Sequence, residues 1–291
     1  MNTLIKNLRV IISLAFMAIT TATIVSAAVG VGVHYRWIVS VQIVPCFLEA
    51  FVASIVAWLI ITIIFGRVYC SSVCPLGTLQ DFISRLYAPR GRESSVRRYR
   101  YRRELRGVRL FFLIVMLLAV IFGTSVIIYA LDPFSAYVHI IDSALYPTMP
   151  LDPLIVPFSA FLTGIATALV TVIFSLRWGR LLCNTLCPVG TLLGYISARS
   201  LFRFDINADF CTRCGKCEDV CKSSCIDLTD LVVDGSRCVD CFNCISVCPH
   251  NAIRYTTSRH RLSDPLMQPT SSASSVSAPA SNQSVKSPSE S

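Results

Sequence analysis

Gly66-Arg67-Val68-Tyr69-Cys70-Ser71-Ser72-Val73-Cys74-Pro75-Leu76-Gly77-Thr78-Leu79 returns 113 residues later as Gly179-Arg180-Leu181-Leu182-Cys183-Asn184-Thr185-Leu186-Cys187-Pro188-Val189-Gly190-Thr191-Leu192. Gly, Arg, both Cys, Pro, Gly, Thr and Leu recur in place. Each copy closes a long apolar run, and a fainter echo, Ile43-Val44-Pro45 and Ile155-Val156-Pro157, opens those two runs. A duplicated helical hairpin is the simplest structure with this repeat, the two halves related by an axis along the membrane normal.

The composition supports that reading. The 291 residues are 54% hydrophobic and only 15% charged, with a mean hydropathy of +0.62. About twenty apolar residues span the hydrocarbon core of a bilayer. Four runs reach that length, at roughly 10–33, 43–65, 110–131 and 154–176. The first is longer than the apolar core of a cleavable signal peptide, so it reads as a retained helix. Segment 67–109 holds eleven Arg against Asp81, Glu93 and Glu104, whereas no Lys or Arg lies between Arg109 and Arg177. Positive loops stay inside. The expectation is therefore a multi-pass protein of the bacterial inner (cytoplasmic) membrane, with the 67–109 loop and both termini cytoplasmic and the 132–153 loop outside. The run Arg97-Arg98-Tyr99-Arg100-Tyr101-Arg102-Arg103 has the makeup of a nucleic-acid patch. Beside a span it reads instead as a topology determinant against anionic lipid headgroups, and no nucleic-acid partner is expected.

Of fourteen cysteines, all but Cys46 lie on or beside the cytoplasmic face under this topology, which indicates metal rather than disulfides. Cys211-x2-Cys214-x2-Cys217-x3-Cys221 is followed by Cys238-x2-Cys241-x2-Cys244-x3-Cys248-Pro249. In such runs three close thiolates wrap one 4Fe–4S cluster and the fourth reaches across to the other. One cluster would take Cys211, Cys214, Cys217 and Cys248, the other Cys238, Cys241, Cys244 and Cys221. Zinc modules present two separated pairs instead. Over this whole module the chain resembles two-cluster bacterial ferredoxins. It departs from them after Cys221, where Lys222-Ser223-Ser224-Cys225 replaces the usual Pro. Cys225 aligns with Ala252 and reads as a small core residue, the other reading being an alternative ligand. Lys222 stands close enough to the sulfurs to alter a potential.

Cys70 with Cys74, and Cys183 with Cys187, are spaced to share a helix face. Around a pseudo-twofold axis the four thiols would meet at the cytoplasmic membrane edge, either holding a further iron–sulfur cluster or serving as redox dithiols. Arg67 and Arg180 read first as headgroup anchors and otherwise as cations offsetting thiolate charge, Pro75 and Pro188 as stops or bends of the chain, and Gly77 and Gly190 as tight turns. Paired Cys-x3-Cys-Pro motifs after the second and fourth spans, followed by a ferredoxin tail, resemble the quinol-dehydrogenase membrane subunits of periplasmic nitrate reduction. They also resemble the larger membrane iron–sulfur proteins of nitrous-oxide respiration. The resemblance covers residues 1–255 and implies electron transfer between the quinol pool and a redox protein partner.

Glu49 is placed to accept a quinol proton, or to face water and Arg36 at the outer edge. Haem is not expected, because His34 and His139 fall in or beside outer loops rather than facing each other within the bundle. The fold class is mainly α: four transmembrane helices as a duplicated hairpin (1–202), a small α+β two-cluster ferredoxin-like domain (203–262) and a Ser/Pro-rich disordered tail (263–291). The function expected is membrane-anchored electron transfer. The competing readings are a factor that reduces or maintains another metalloenzyme, and a redox sensor.

Overall fold

The computed structural model describes residues 2–28, 41–48, 52–86, 99–146 and 158–257. Glu49, His34, Arg36, Arg97, Arg98, His260 and the Ser/Pro-rich tail lie outside them. The described chain is mainly helical. The first run forms α1 (Asn2–Ala28), and the second forms α2 (Ile43–Leu48) and α3 (Val52–Phe65). The first repeat motif folds as α4 (Val68–Ser72) and α5 (Pro75–Leu86), the second as α10 (Leu181–Thr185) and α11 (Pro188–Ser197) after α9 (Phe158–Trp178). Within α1 and α9, Leu4–Ala28 and Phe161–Trp178 are long and apolar enough to cross a membrane, and Ala53–Phe65 is a shorter apolar helix.

The third apolar run is not one helix. It divides into α6 (Arg106–Ile121) and α7 (Ser125–Leu131). Gly123 takes φ +67°, its N–H donates to Val120 O, and the Thr124 N–H donates to Ala119 O at 2.9 Å. That pair of bonds is the Schellman ending, which a left-handed glycine permits. The stretch read as an outer loop contains α8 (Pro133–Leu145), and His139 lies within it. Asp132 caps this helix by accepting from Ser135 N and Ser135 Oγ, with Pro133 in the first turn. Tyr137 of α8 shares a 2.6 Å hydrogen bond with Thr21 of α1. On the other side Gly164 of α9 passes so close that a Cβ would sit 2.6 Å from Ser143 Cβ. Small residues at helix crossings allow this approach.

The carboxy-terminal module has β1 (Arg203–Ile206) antiparallel to β4 (Ile253–Thr256), with Phe204 opposite Tyr255. A second ladder joins β2 (Ile226–Asp227) to β3 (Val232–Val233). Short helices α12 (Lys216–Asp219) and α13 (Asn243–Val247) carry the cysteine loops. Phe204, Ile206, Ile226, Val233 and Ile253 form the core with the buried cysteines. The module is tied to the end of α3, whose terminal carbonyls need donor partners. Leu201 N donates to Ile63 O, Phe202 N to Ile64 O, and Tyr255 OH to Phe65 O at 2.7 Å.

Candidate metal centre

The two repeat motifs meet, and their arginines cross over. Arg180 of the second copy donates to Cys70 O at 2.7 Å, to Gly77 O at 3.1 Å and to Asp81 Oδ1 at 2.8 Å, all in the first copy. Arg67 of the first copy donates to Asn184 Oδ1 at 2.9 Å in the second, and its guanidinium lies 3.7 Å from its own Cys70 Sγ. Relative exposures of 0% and 1% overturn the expectation that these arginines anchor at lipid headgroups. A guanidinium presents five donors in a planar fork, which suits buried carbonyls and sulfurs better than open water does here.

The glycines and prolines also differ from expectation. Gly77 and Gly190 lie inside α5 and α11 rather than in turns. A Cβ on Gly77 would stand 2.5 Å from Cys70 O, and one on Gly190 would stand 2.6 Å from Cys183 O and 2.7 Å from the Arg67 guanidinium. They are there for close approach. Pro75 and Pro188 begin helices instead of stopping them. Consequently Cys70 and Cys74 do not share a helix face: Cys70 is in α4, and Cys74 stands at the break before α5. Cys187 is the N-cap of α11, its sulfur accepting from Gly190 N at 3.3 Å.

All four motif sulfurs lie in one another's electrostatic neighbourhood. Burial pushes Cys74 and Cys187 well above the usual thiol range. Burial likewise pushes Cys183 up to about 11, although Arg180 opposes the shift. Such thiols are poor free nucleophiles, because the thiolate is the reactive form. Thiolates at this spot therefore call for a compensating cation, and the soft donor set fits iron–sulfur. Among the described residues no three His, Cys, Asp or Glu side chains close on a point that a single ion would occupy. A cubane cluster is held from its corners by four separate sulfurs, so it needs no such point.

The module separates its cysteines into two groups. Cys211, Cys214, Cys217 and Cys248 line one cavity together with Phe210, Leu228 and Ile253. Around Cys244 stand Cys241, Cys238 and Cys221. The second group adjoins the repeat motifs, and Cys214 of the first is exposed. Gly66 and Gly179, both at positive φ, are the contact points. A Cβ on Gly66 would lie 2.5 Å from the Asp240 carboxylate, and one on Gly179 would lie 2.7 Å from Lys222 O. The Arg180 N–H donates to Lys222 O at 2.9 Å, and the Arg67 N–H hydrogen-bonds Asp240. Thus each Gly-Arg pair grips the residue adjoining a cysteine of the second group, Cys221 or Cys241.

Lys222 does not stand free beside its cysteine. Its Nζ is 3.3 Å from Asp81 Oδ1, in a buried cluster completed by Arg180 and by Arg9 of α1 at 3.7 Å from Oδ2. Burial alone would raise the Asp81 carboxyl, but Arg180 and Lys222 outweigh it and hold the group well below the usual carboxylate range. Asp81 carried no motif signal, and only its position two residues past the repeat hinted at it.

Comparison with known proteins agrees with this geometry. Residues 49–92 and 160–207, the two repeats, match a 4Fe-4S binding domain family, and residues 231–253 match a second family of the same description. The Escherichia coli protein YccM, named for electron transport, is 30% identical over 205 residues, 67% of this chain and 52% of YccM. The methylamine utilization ferredoxin-type protein MauN of Paracoccus denitrificans is 29% identical over 196 residues, 66% of this chain and 61% of MauN. The ferredoxin-type protein NapH of Haemophilus influenzae is 26% identical over 210 residues, 66% of this chain and 63% of NapH. The chain thus spans about half the length of YccM. No solved structure matches it. With 4Fe-4S binding domains in both its repeats and its module, the chain is a ferredoxin-type iron–sulfur protein related to YccM, MauN and NapH.

Proposed function

We propose that this protein is a membrane-anchored electron carrier, linking the quinone pool to a redox protein partner. The observation that carries the reading is the docking of the second cysteine group on the two repeat motifs, through Gly66 against Asp240 and Gly179 and Arg180 against Lys222. In this reading three sulfur sites run from the helices to the exposed Cys214. The membrane-edge site is Cys70, Cys74, Cys183 and Cys187. The middle one is Cys221, Cys238, Cys241 and Cys244, and the outer one is Cys211, Cys214, Cys217 and Cys248. Clusters at such sites supply one-electron steps, so a two-electron donor is oxidised in stages.

The chain's own residues do the rest. Arg67 and Arg180 offset thiolate charge at the membrane edge and lock the two repeats together. The apolar outer faces of α1, α3, α6 and α9, with Ile11, Ile60, Phe111 and Ile173 exposed, sit in lipid. The four apolar runs then cross the membrane, α6 and α7 together forming the third, with both termini and the module in the cytoplasm. Glu49 accepts the quinol proton in this scheme. Exposed Cys214 and its neighbours form the face for the redox partner.

The burial of Cys74 at 5% exposure keeps one thiol of the first pair from an outside disulfide, which disfavours the alternative of a factor that reduces other proteins by dithiol exchange. Iron and acid-labile sulfide counts on anaerobic protein should correspond to three clusters, falling to two in Cys70→Ser. A reduced quinol analogue should then reduce clusters in native protein, and more slowly in Glu49→Gln. Failure of the analogue to reduce any cluster sinks the quinol role. Two clusters before and after the Cys70 change sink the membrane-edge site.

A further inference from the structure

The two halves of the module are built alike around their crossing cysteines. In one half the Ala252 N–H donates to Cys248 Sγ at 3.3 Å. In the other the Cys225 N–H occupies the same position toward Cys221 Sγ. The side chains differ: Ala252 ends in a methyl group, whereas Cys225 adds a thiol. That thiol is buried at 2% exposure, its Sγ lies 3.4 Å from Cys221 Sγ, and it is also a hydrogen-bond neighbour of Cys238. Both neighbours belong to the middle group, and the outer group has no equivalent contact from Ala252.

We infer that Cys225 is a tuning residue: its thiol donates a hydrogen bond to the Cys221 and Cys238 sulfurs and raises the reduction potential of the middle cluster above that of the outer one. The inference rests on the two cysteine groups of the module being its cluster ligands. A ligating cysteine is a thiolate and can only accept. Between two sulfurs 3.4 Å apart the hydrogen then comes from the one that does not ligate, so Cys225 is the donor. Reduction adds one negative charge to the cluster and its sulfurs. A donor aimed at those sulfurs stabilises the reduced state more than the oxidised one, and hydrogen bonds to the sulfurs are an established control of the potential. A bulky or charged side chain could not take this position, because the site is closed by the Cys221–Cys225 turn and the module core. A purely packing role would be met equally well by alanine, as the other half shows.

The experiment is a redox titration of the purified, cluster-loaded full chain, followed by electron paramagnetic resonance, with native protein, Cys225→Ala, Cys225→Val and Cys225→Ser. Iron and sulfide are counted on each sample. In Cys225→Ala one module potential should fall, by up to about tenfold in the reduction equilibrium or about 59 mV for one electron, while the other stays. Cys225→Val keeps the packing without the donor and should fall likewise. Cys225→Ser retains a donor and should recover at least part of the shift. Unchanged potentials in both apolar variants with full iron content overturn the inference and leave the ligand sets standing. Loss of one cluster's iron in Cys225→Ala, with Cys225→Val equally depleted, makes Cys225 a ligand and overturns both the tuning role and the ligand sets. If Cys225→Ala does not fold, the valine and serine pair decides by the same two readouts.

Discussion

The two copies of the repeat share their Gly, Arg, Cys and Pro, yet they hold the module by different means. Fourteen positions beyond Arg180 of the second copy, Gly194 stands where the first copy has Asp81. Asp81 is the centre of a buried charge cluster, binding Arg180, Lys222 and Arg9. Gly194 has no side chain, and a Cβ there would lie 2.5 Å from Ser236 O. One copy therefore fastens the module by charge and the other by contact. Two identical helix ends cannot both fit an asymmetric module, so divergence at this one position fits the twofold repeat to a partner without that symmetry. Ser84 and Ser197, a matched pair one turn further on, show the same division: Ser197 Oγ donates to Gly235 O at 3.0 Å, whereas Ser84 Oγ turns back to Asp81 O.

The comparison can be broken most severely at Asp81. Asp81→Ala leaves Arg180, Lys222 and Arg9 buried without their carboxylate, and removing one partner of a buried pair costs about 3–5 kcal/mol. Thermal unfolding in detergent should report the loss, with the module released before the helices. Gly194→Val is expected to cost less, about 1–3 kcal/mol, because the neighbouring Ser236 loop shifts to relieve the overpacking. Limited proteolysis between the last helix and β1 would register its loosened contact. A native-like melting temperature for Gly194→Val would show that the close approach at this copy is incidental.

Acid sharpens the contrast with a smaller effect. The folded Asp81 carboxyl lies below its ordinary value, so its stabilisation is complete above the unfolded pKa of about 3.9. It is lost as the pH falls from there through the folded value. Module release should therefore gain a step below about pH 4 in native protein, and Asp81→Asn should lack that step. The smallest effect belongs to Lys6→Ala. Its Nζ bonds Ser246 Oγ at an exposed edge between α1 and α13, and such a contact is worth about 0.5 kcal/mol or less. Its melting curve should overlay the native one.

Much of the site was legible before any coordinates. Cys211, Cys214, Cys217 and Cys248 line one cavity, and the crossed spacing places those four together in the sequence reading. The constant offset of the repeat likewise implied that four thiols would meet. The errors came where one residue type serves two environments. A basic residue at a membrane edge more often reaches for headgroups, so Arg67 and Arg180 were misplaced on the surface. A glycine after a proline resembles a turn, whereas Gly77 and Gly190 admit a neighbouring backbone. The third apolar run hid a helix break, since Phe122 and Thr124 mask the Gly123 between them in any hydropathy average.

By itself, the sequence determined the apolar runs, the duplication and the grouping of the cysteines. These are local or periodic properties, set by spacing along the chain. The tertiary structure alone decided which arginine reaches which copy, why Asp81 and Lys222 pair across 141 residues, and that the Cys225 thiol lies against Cys221 and Cys238. Each of those depends on how two helix ends and a folded module come together. The packing that joins them is collective, so no single stretch of chain encodes it.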